Sequence, residues 1–173
     1  QKNTREWVYG ARDRVDEVFD CSRSVRNGRW LLIRNYHPYL GWNQPSVFSD
    51  LGEIRREITN YPNKTRRHLN HEQTHYLASR RAPIEFYDCV ADPENTHNLA
   101  LGGIGKDQKI QFGKAQRALE KIREETCDIG CLPEGVMAKL VAENKEAIAD
   151  IALSGKLDLR RIWNVADAVG SKY

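Results

Sequence analysis

The chain has 173 residues, of which 40% are hydrophobic and 29% are charged, and its formal net charge at pH 7 is +3. That length suits one ordinary domain, or one domain with an appended helical piece. The charge is too mild to indicate nucleic-acid binding by itself. No apolar run approaches the roughly 18 residues of a membrane-spanning helix, so we expect no membrane partner. The chain opens at Gln1 rather than Met, and we expect its natural N-terminus to lie upstream.

The first third of the chain predicts short strands. A strand is expected over residues 6–9, ended by Gly10. Ser24–Arg26 and Arg29–Arg34 are rich in strand formers and flank Asn27-Gly28. That pair is typical of a two-residue type I′ turn, in which both central residues take positive φ. The pattern therefore predicts a β-hairpin.

The middle of the chain predicts two helices and one more strand. The first helix runs through Ile54 and Ile58 and ends at Asn60. A second short helix is expected over 66–79. Residues 83–88 are typical of a strand, with alternate side chains on opposite faces.

Three glycines within residues 101–105 mark a composition break, where we place a domain boundary. Apolar residues at helical spacing then predict three helices, over 111–127, 133–153 and 158–169. The predicted class is α+β: a small antiparallel sheet of about four strands with packed helices, followed by a helical C-terminal extension. The predicted domains are 1–105 and 106–173.

An HExxH pattern occurs at residues 71–75. On a helix it places two imidazoles on one face, with a glutamate able to activate a zinc-bound water. A zinc hydrolase is therefore one hypothesis. Its neighbours are polar, and no third ligand stands at a suitable spacing, so a solvated helix is the simpler interpretation.

Basic residues recur in three clusters interleaved with tyrosines: Arg55-Arg56, Lys64 to Arg67, and Arg80-Arg81. Arginine forks bind phosphate or sulfate oxygens bidentately, so a polyanion-binding module is a second hypothesis. A solvated helix face balanced by glutamates explains the same clusters, and a nucleic-acid partner is not expected.

Charges of both signs converge just before the predicted hairpin, at residues 12–17 and again at Arg23 and Arg26. Such an arrangement can form a pocket for an anionic, hydroxyl-bearing ligand. Surface salt bridges explain it equally well. The sequence contains no nucleophile elbow, phosphate loop or dinucleotide fingerprint. Cys127 and Cys131 could form a local disulfide in an oxidising compartment, although two free thiols are the simpler interpretation.

Five segments in a fixed order carry a family resemblance: Gly10–Glu17, Arg23–Trp30, Ile33–Tyr36, Pro83–Asp88, and Asp92-Pro93-Glu94 with Asn98-Leu99-Ala100. Their order and spacing resemble the C-terminal subdomain of the formylglycine-dependent sulfatases, in the alkaline phosphatase superfamily. The resemblance covers roughly residues 5–130. In that family the region is a small antiparallel sheet beside a larger catalytic domain, with a long helix.

The resemblance implies that the catalytic groups lie elsewhere. Sulfatases form their nucleophile from the cysteine of a C-x-P/A-S-R motif, and aspartates and an asparagine of the N-terminal domain bind a calcium-type divalent cation. The segments at 21–25 and 131–135 lack serine-arginine at the last two places of that motif. We therefore expect no catalytic residue, metal ligand or cofactor in this chain, and an N-terminal sulfatase domain as its missing partner.

The resemblance also implies a role for four residues. It places Arg12, Arg14, Asp16 and Arg23 on the edge that faces the catalytic cleft, where they would bind sugar hydroxyls or sulfate. The expected parent is an exported bacterial sulfatase, periplasmic or secreted, that hydrolyses sulfate esters of carbohydrate. The isolated chain is expected to be inactive. The zinc-hydrolase and polyanion-binding hypotheses stay as alternatives, although the helix carrying HExxH binds no metal in the family.

Overall fold

A computed structural model describes residues 5–14, 18–60, 68–126 and 128–143. Several predictions concern residues outside these ranges: the ligand contact of Asp16, the basic cluster at 64–67, the state of Cys127, residues 144–153 of the helix predicted over 133–153, and the helix over 158–169. Cys21, Cys89 and Cys131 do not form disulfides.

Four antiparallel strands form one sheet in the order β1-β2-β3-β4. They are β1, Val8–Arg12, β2, Ser22–Arg26, β3, Trp30–Asn35, and β4, Ile84–Asp88. Helices accompany this sheet and continue beyond it along the chain, which confirms the predicted α+β class with a helical segment after the sheet.

The first strand continues beyond the predicted end at Gly10. Gly10 pairs with Ser24, and pairing extends to Arg12 opposite Ser22. A Cβ at Gly10 would lie 2.6 Å from Ser24 Oγ. The glycine therefore serves close packing between two strands and does not end the first one.

The hairpin between β2 and β3 is confirmed, but its predicted turn type is wrong. Neither Asn27 nor Gly28 has a positive φ, which a type I′ turn would require. Instead, the Asn27 side-chain oxygen accepts hydrogen bonds from the backbone N–H groups of Arg29, at 2.9 Å, and Trp30, at 2.7 Å. Asn27 thus closes the turn with its side chain. The Asn-Gly pair alone does not distinguish this turn from a type I′ turn.

One face of the sheet carries the apolar core. Val25, Leu32 and Phe86 occupy one row across β2, β3 and β4, and all three are buried. Trp30 stacks on Phe86 with ring centres 5.1 Å apart, and Phe112 meets the Phe86 ring edge-on at 5.2 Å. This face therefore joins the sheet to the long helix described below.

The opposite face carries a row of buried polar groups. Ser22 Oγ donates to Asn35 Oδ1 at 2.8 Å, and Asn35 Nδ2 donates to Glu85 Oε1 at 2.6 Å. The Tyr87 hydroxyl donates to Glu85 Oε2 at 2.7 Å. Burial and this bond to a carboxylate raise the pKa of Tyr87. Since buried polar groups cost stability unless they are paired, this row fixes the register of three strands.

The helices are α1, Glu53–Thr59, α2, His71–Tyr76, α3, Leu99–Gly102, α4, Lys106–Thr126, and α5, Glu134–Glu143. α1 confirms the first predicted helix. α2 is shorter than predicted, because the Asn70 and Gln73 side chains form a capping box that starts the helix at His71. None of the described helices has both the length and the apolar content that a membrane span requires.

α4 confirms the predicted amphipathic helix but begins earlier, at Lys106. Its start is set by a cap, since the Gln108 side chain accepts from the Gly105 N–H at 3.0 Å. Ala115 and Leu119 are its buried apolar residues, as the spacing predicts. The inter-residue contacts separate a first compact unit that ends at Glu120 from a second that begins at Lys121. The boundary predicted near residue 105 stays a prediction.

Candidate ligand-binding site at one end of the sheet

Because the strands are antiparallel, the last residues of β1 and β3 lie at the same end of the sheet as the first residues of β2 and β4. We call this the Arg81 end and define it by Arg12, Asp20 and Arg81. Of the predicted charged residues, Arg12 and Arg23 lie at this end, whereas Arg26 lies at the other end of β2. The opposite end, defined by Arg29, Trp30 and Asp88, is called the Arg29 end.

Asp20 is the centre of the Arg81 end. The side chains of Asp20 and Arg81 are both 0% exposed and form an ion pair. Arg81 Nη1 donates to Asp20 Oδ2 at 3.0 Å, and Arg81 Nη2 donates to Oδ1. The Cys21 N–H adds a third bond, to Oδ1, at 2.7 Å. A buried carboxylate is tolerated only with such compensation.

Arg12 connects this buried pair to the surface. Its Nε lies 3.2 Å from Asp20 Oδ2, and its side chain is 44% exposed. Two guanidinium groups therefore share one carboxylate, which leaves one positive charge in excess, and Arg12 carries the accessible part of it. An arginine held at Nε keeps its terminal nitrogens available for an oxyanion.

Arg23 lies inside the protein. Its Nη1 and Nη2 donate to the two carboxylate oxygens of Asp13, at 2.8 and 3.2 Å, and Nη1 also donates to the Arg12 carbonyl at 3.2 Å. Its side chain is almost fully buried. The predicted contact of Arg23 with a ligand stays a prediction. The geometry gives Arg23 a positioning role, because its hydrogen bond to the Arg12 carbonyl fixes the backbone of Arg12.

Arg14 begins a layered stack. Its guanidinium lies 5.5 Å from the centre of the Phe19 ring. Phe19 stacks on His37 at 4.5 Å, and the tilted ring of Tyr39 follows at 5.5 Å. Burial lowers the pKa of His37, so this imidazole is neutral at neutral pH. The stack brings Arg14, on the segment after β1, next to the loop that follows β3.

The loop after β3 also covers Arg81. The Arg81 guanidinium carbon lies 4.6 Å from the centre of the Trp42 ring, a cation–π distance. The Arg81 N–H donates to the Pro38 carbonyl at 3.0 Å. A Cβ at Gly41 would collide with the Ala78 carbonyl oxygen, so only glycine permits this close approach of the loop to the segment after α2.

The electrostatic balance at this end is positive. The charged side chains described above for this end comprise four guanidinium groups and two carboxylates: Arg12, Arg14, Arg23, Arg81, Asp13 and Asp20. Asp16 is near in sequence but lies outside the described residues. The arrangement can bind an anionic group at Arg12 and Arg14.

The HExxH residues form part of a short exposed helix. The His71 and His75 rings are parallel, with centres 6.4 Å apart, and both side chains are exposed. Across the described ranges, no three His, Cys, Asp or Glu side chains group closely enough to hold a metal ion. The described part of the chain therefore contains no ligand set for a catalytic zinc ion or for another divalent cation.

The basic cluster at Arg55-Arg56 is divided between two roles. Arg55 Nε donates to Asp50 Oδ1 at 2.6 Å, and its Nη1 donates to the Tyr76 hydroxyl at 2.8 Å. Arg56, like Arg80, is exposed. Arg55 therefore cross-links α1 to α2, and Arg56 belongs to the solvated surface.

Sequence reasoning missed Asp20, His37 and Trp42, and it counted Arg81 only as part of a basic cluster. Asp20 stands 61 positions from its partner Arg81. A single sequence contains no signal for such a long-range pair. One usable hint is local: Asp20 lies between Phe19 and Cys21, a non-charged setting that is unusual for a solvated carboxylate.

Comparison with known proteins finds similarity between part of this chain and a sulfatase. None of the protein-family models matches this chain. A large part of the chain is nevertheless similar to a region of a sulfatase. Over 110 residues it is 32% identical to an ulvan-active sulfatase of Formosa agariphila, an alignment that covers 64% of this chain and 18% of that protein. The chain thus corresponds to less than a fifth of the length of this relative.

Proposed function

We propose that this chain is the C-terminal subdomain of a periplasmic or secreted sulfatase that hydrolyses sulfate esters of carbohydrate. In this proposal the chain supplies an edge of the substrate cleft, and the nucleophile comes from the rest of the protein. The observation that carries it is the 32% identity to the ulvan-active sulfatase. Ulvan, or a polysaccharide of similar chemistry, is accordingly the first substrate to test.

The Arg81 end supports the proposed binding role. Arg12 would donate to sulfate oxygens through its terminal nitrogens, while Asp20 holds its Nε at 3.2 Å. Arg14 would add a second positive charge, and Asp16 would accept hydrogen bonds from sugar hydroxyls. Because Asp20 and Arg81 are buried together, Arg12 is held on a rigid base, and less rotamer freedom is lost when it binds a ligand.

In this proposal the hydrolytic groups lie in the rest of the protein. The family resemblance implies a formylglycine nucleophile and a calcium-type cation that neutralises sulfate oxygens. The described residues contain no grouping of ligands for that cation, so we assign it to the N-terminal sulfatase domain. No step of the reaction is assigned to a side chain described above.

The experiment is sulfate release from ulvan by the full-length protein whose gene encodes this chain. The full-length protein should release sulfate, and the 173-residue chain should not. Release of sulfate by the chain itself would contradict the proposed division of labour, and a full-length protein inactive on a panel of sulfate esters would contradict the function.

A matched pair of variants tests the binding role of Arg12. In the full-length enzyme, Arg12→Gln should raise KM about tenfold or more, since a hydrogen bond to a charged group contributes roughly 1.5–3 kcal/mol. Arg26→Gln removes the same charge from an exposed position at the Arg29 end and should leave KM unchanged. Equal effects of the two substitutions would refute a specific role of Arg12.

A further inference from the structure

Four large apolar side chains lie exposed within residues 47–54. Val47, Phe48, Leu51 and Ile54 are each between 71% and 83% exposed. Single exposed apolar residues are common on protein surfaces. Four within eight consecutive positions form a patch of the kind that marks an interaction surface. We call this the 47–54 patch.

The patch sits on a segment whose polarity is inverted. Ile54 is 83% exposed, whereas the next residue, Arg55, has a side chain only 15% exposed. A surface helix normally turns its apolar residues inward and its charged residues to solvent. Here the arginine is turned inward and bonded, and the isoleucine is left in water. The sequence of α1 therefore suits a helix covered on its outer side.

The patch is also held rigidly. Arg55 bonds to Asp50, to the Tyr76 hydroxyl and to the Gln44 carbonyl. Asn43 Nδ2 donates to Thr59 Oγ1 at 3.1 Å, which ties the two ends of the segment together. A surface fixed in this way loses little conformational entropy when a partner covers it.

We propose that the 47–54 patch is the docking surface for the catalytic portion of the same sulfatase. This inference rests on the proposed function and identifies the partner of the chain. The relative is several times longer than the region it shares with this chain, so a covalently linked partner would be present at a high effective concentration. Permanent interfaces of that kind are also more apolar than transient ones. A second copy of the chain would have no such linkage.

Hydroxyl-radical footprinting of Phe48 tests the docking. In the isolated chain at low concentration Phe48 should be oxidised freely. In the full-length protein its oxidation rate should fall at least about tenfold. Ile54→Asp in the full-length protein should return Phe48 to the rate of the isolated chain, whereas Leu101→Asp, at an equally exposed helical position, should not.

Two results would overturn the inference. Equal oxidation of Phe48 in the chain and in the full-length protein would mean that the catalytic portion does not cover the patch. Protection that appears in the isolated chain as its concentration rises would assign the patch to a second copy. Sulfate release by the same preparation separates this inference from the proposed function. Activity without protection removes only the docking, and protection without activity removes only the sulfatase assignment.

Discussion

The two ends of the sheet each contain an arginine bound to an aspartate by two nitrogens, but the two pairs lie in different environments. At the Arg81 end, Arg81 and Asp20 are both 0% exposed. At the Arg29 end, Arg29 binds Asp88 at 2.7 Å with its own side chain 57% exposed. Both partners are therefore buried at the Arg81 end, whereas at the Arg29 end the aspartate is buried and the arginine lies at the surface.

This difference indicates where the fold can hold a ligand-binding group in place. A buried pair is costly to form and costly to break, and it fixes whatever is bonded to it. Arg12 shares the buried carboxylate and reaches the surface. At the Arg29 end only the arginine lies in solvent, so water screens that pair from one side and it holds its neighbours less firmly. The Arg81 end is thus the better base for a binding site.

Removal of Arg81 should give the largest effect. Arg81→Met leaves Asp20 charged and without its main partner, and we expect the free energy of unfolding to fall by about 3–5 kcal/mol. Arg80→Met, at the exposed neighbouring position, should change it by no more than about 0.5 kcal/mol. Urea denaturation of both variants measures the difference. Similar losses in the free energy of unfolding for Arg81→Met and Arg80→Met would mean that burial of the arginine does not determine the effect.

Gly41→Ala should cause the next largest loss in the free energy of unfolding. The added methyl group would meet the Ala78 carbonyl and push the loop that carries Trp42 away from Arg81, at a cost of about 1–3 kcal/mol. Gly28→Ala is the control, because a Cβ there has nothing within 4 Å and φ is not positive. Urea denaturation should separate the two variants; a tolerated Gly41→Ala would show that the loop adjusts freely.

His37 should make the stability of the fold depend on pH. Burial lowers its folded-state pKa, and the charges of Asp20, Arg14, Arg81 and Asp13 act on it in opposing directions. The unfolded chain therefore binds this proton more readily. Neutral His37 contributes its full stabilisation of the fold above about pH 6.5, the pKa of histidine in the unfolded chain. That stabilisation is lost as the pH falls from about 6.5 through the lower pKa of the folded state. His37→Phe should flatten the unfolding profile in that window, and an unchanged profile would contradict the assignment.

The Arg29 end should give the smallest effect. Arg29→Met removes the solvent-exposed partner of Asp88, while the backbone N–H groups of Val90 and Ala91 still donate to that carboxylate, so the loss should be the smallest of the set and should shrink at high salt. The hydrogen bonds to Arg29 hold the pKa of Asp88 below its usual value, so that part of the loss should vanish in acid. Urea denaturation at two salt concentrations measures the loss of stability and its dependence on salt. A loss as large as that of Arg81→Met would remove the contrast between the ends.

Local patterns predicted the hairpin around Asn27, the strand over 83–88 (observed as Ile84–Asp88) and the apolar face of α4, because each depends on residues close by in the sequence. They gave the wrong turn type at Asn27, since an asparagine before glycine can use either its backbone or its side chain to close a turn. The charged segment before β2 was singled out as a candidate binding site, and that role stays a prediction. Its organisation was not predictable, because Asp20 depends on Arg81, which is 61 positions away.

The most direct test of the central claim is the affinity of the chain for sulfated oligosaccharides and for the same oligosaccharides after desulfation, measured by titration calorimetry. Only the sulfated form should bind, Arg12→Gln should weaken binding about tenfold or more, and Arg26→Gln should have no effect. If both substitutions weaken binding equally, or if binding simply follows the total charge of the ligand, the Arg81 end is not a specific sulfate-binding edge. The chain would then be a general polyanion-binding module.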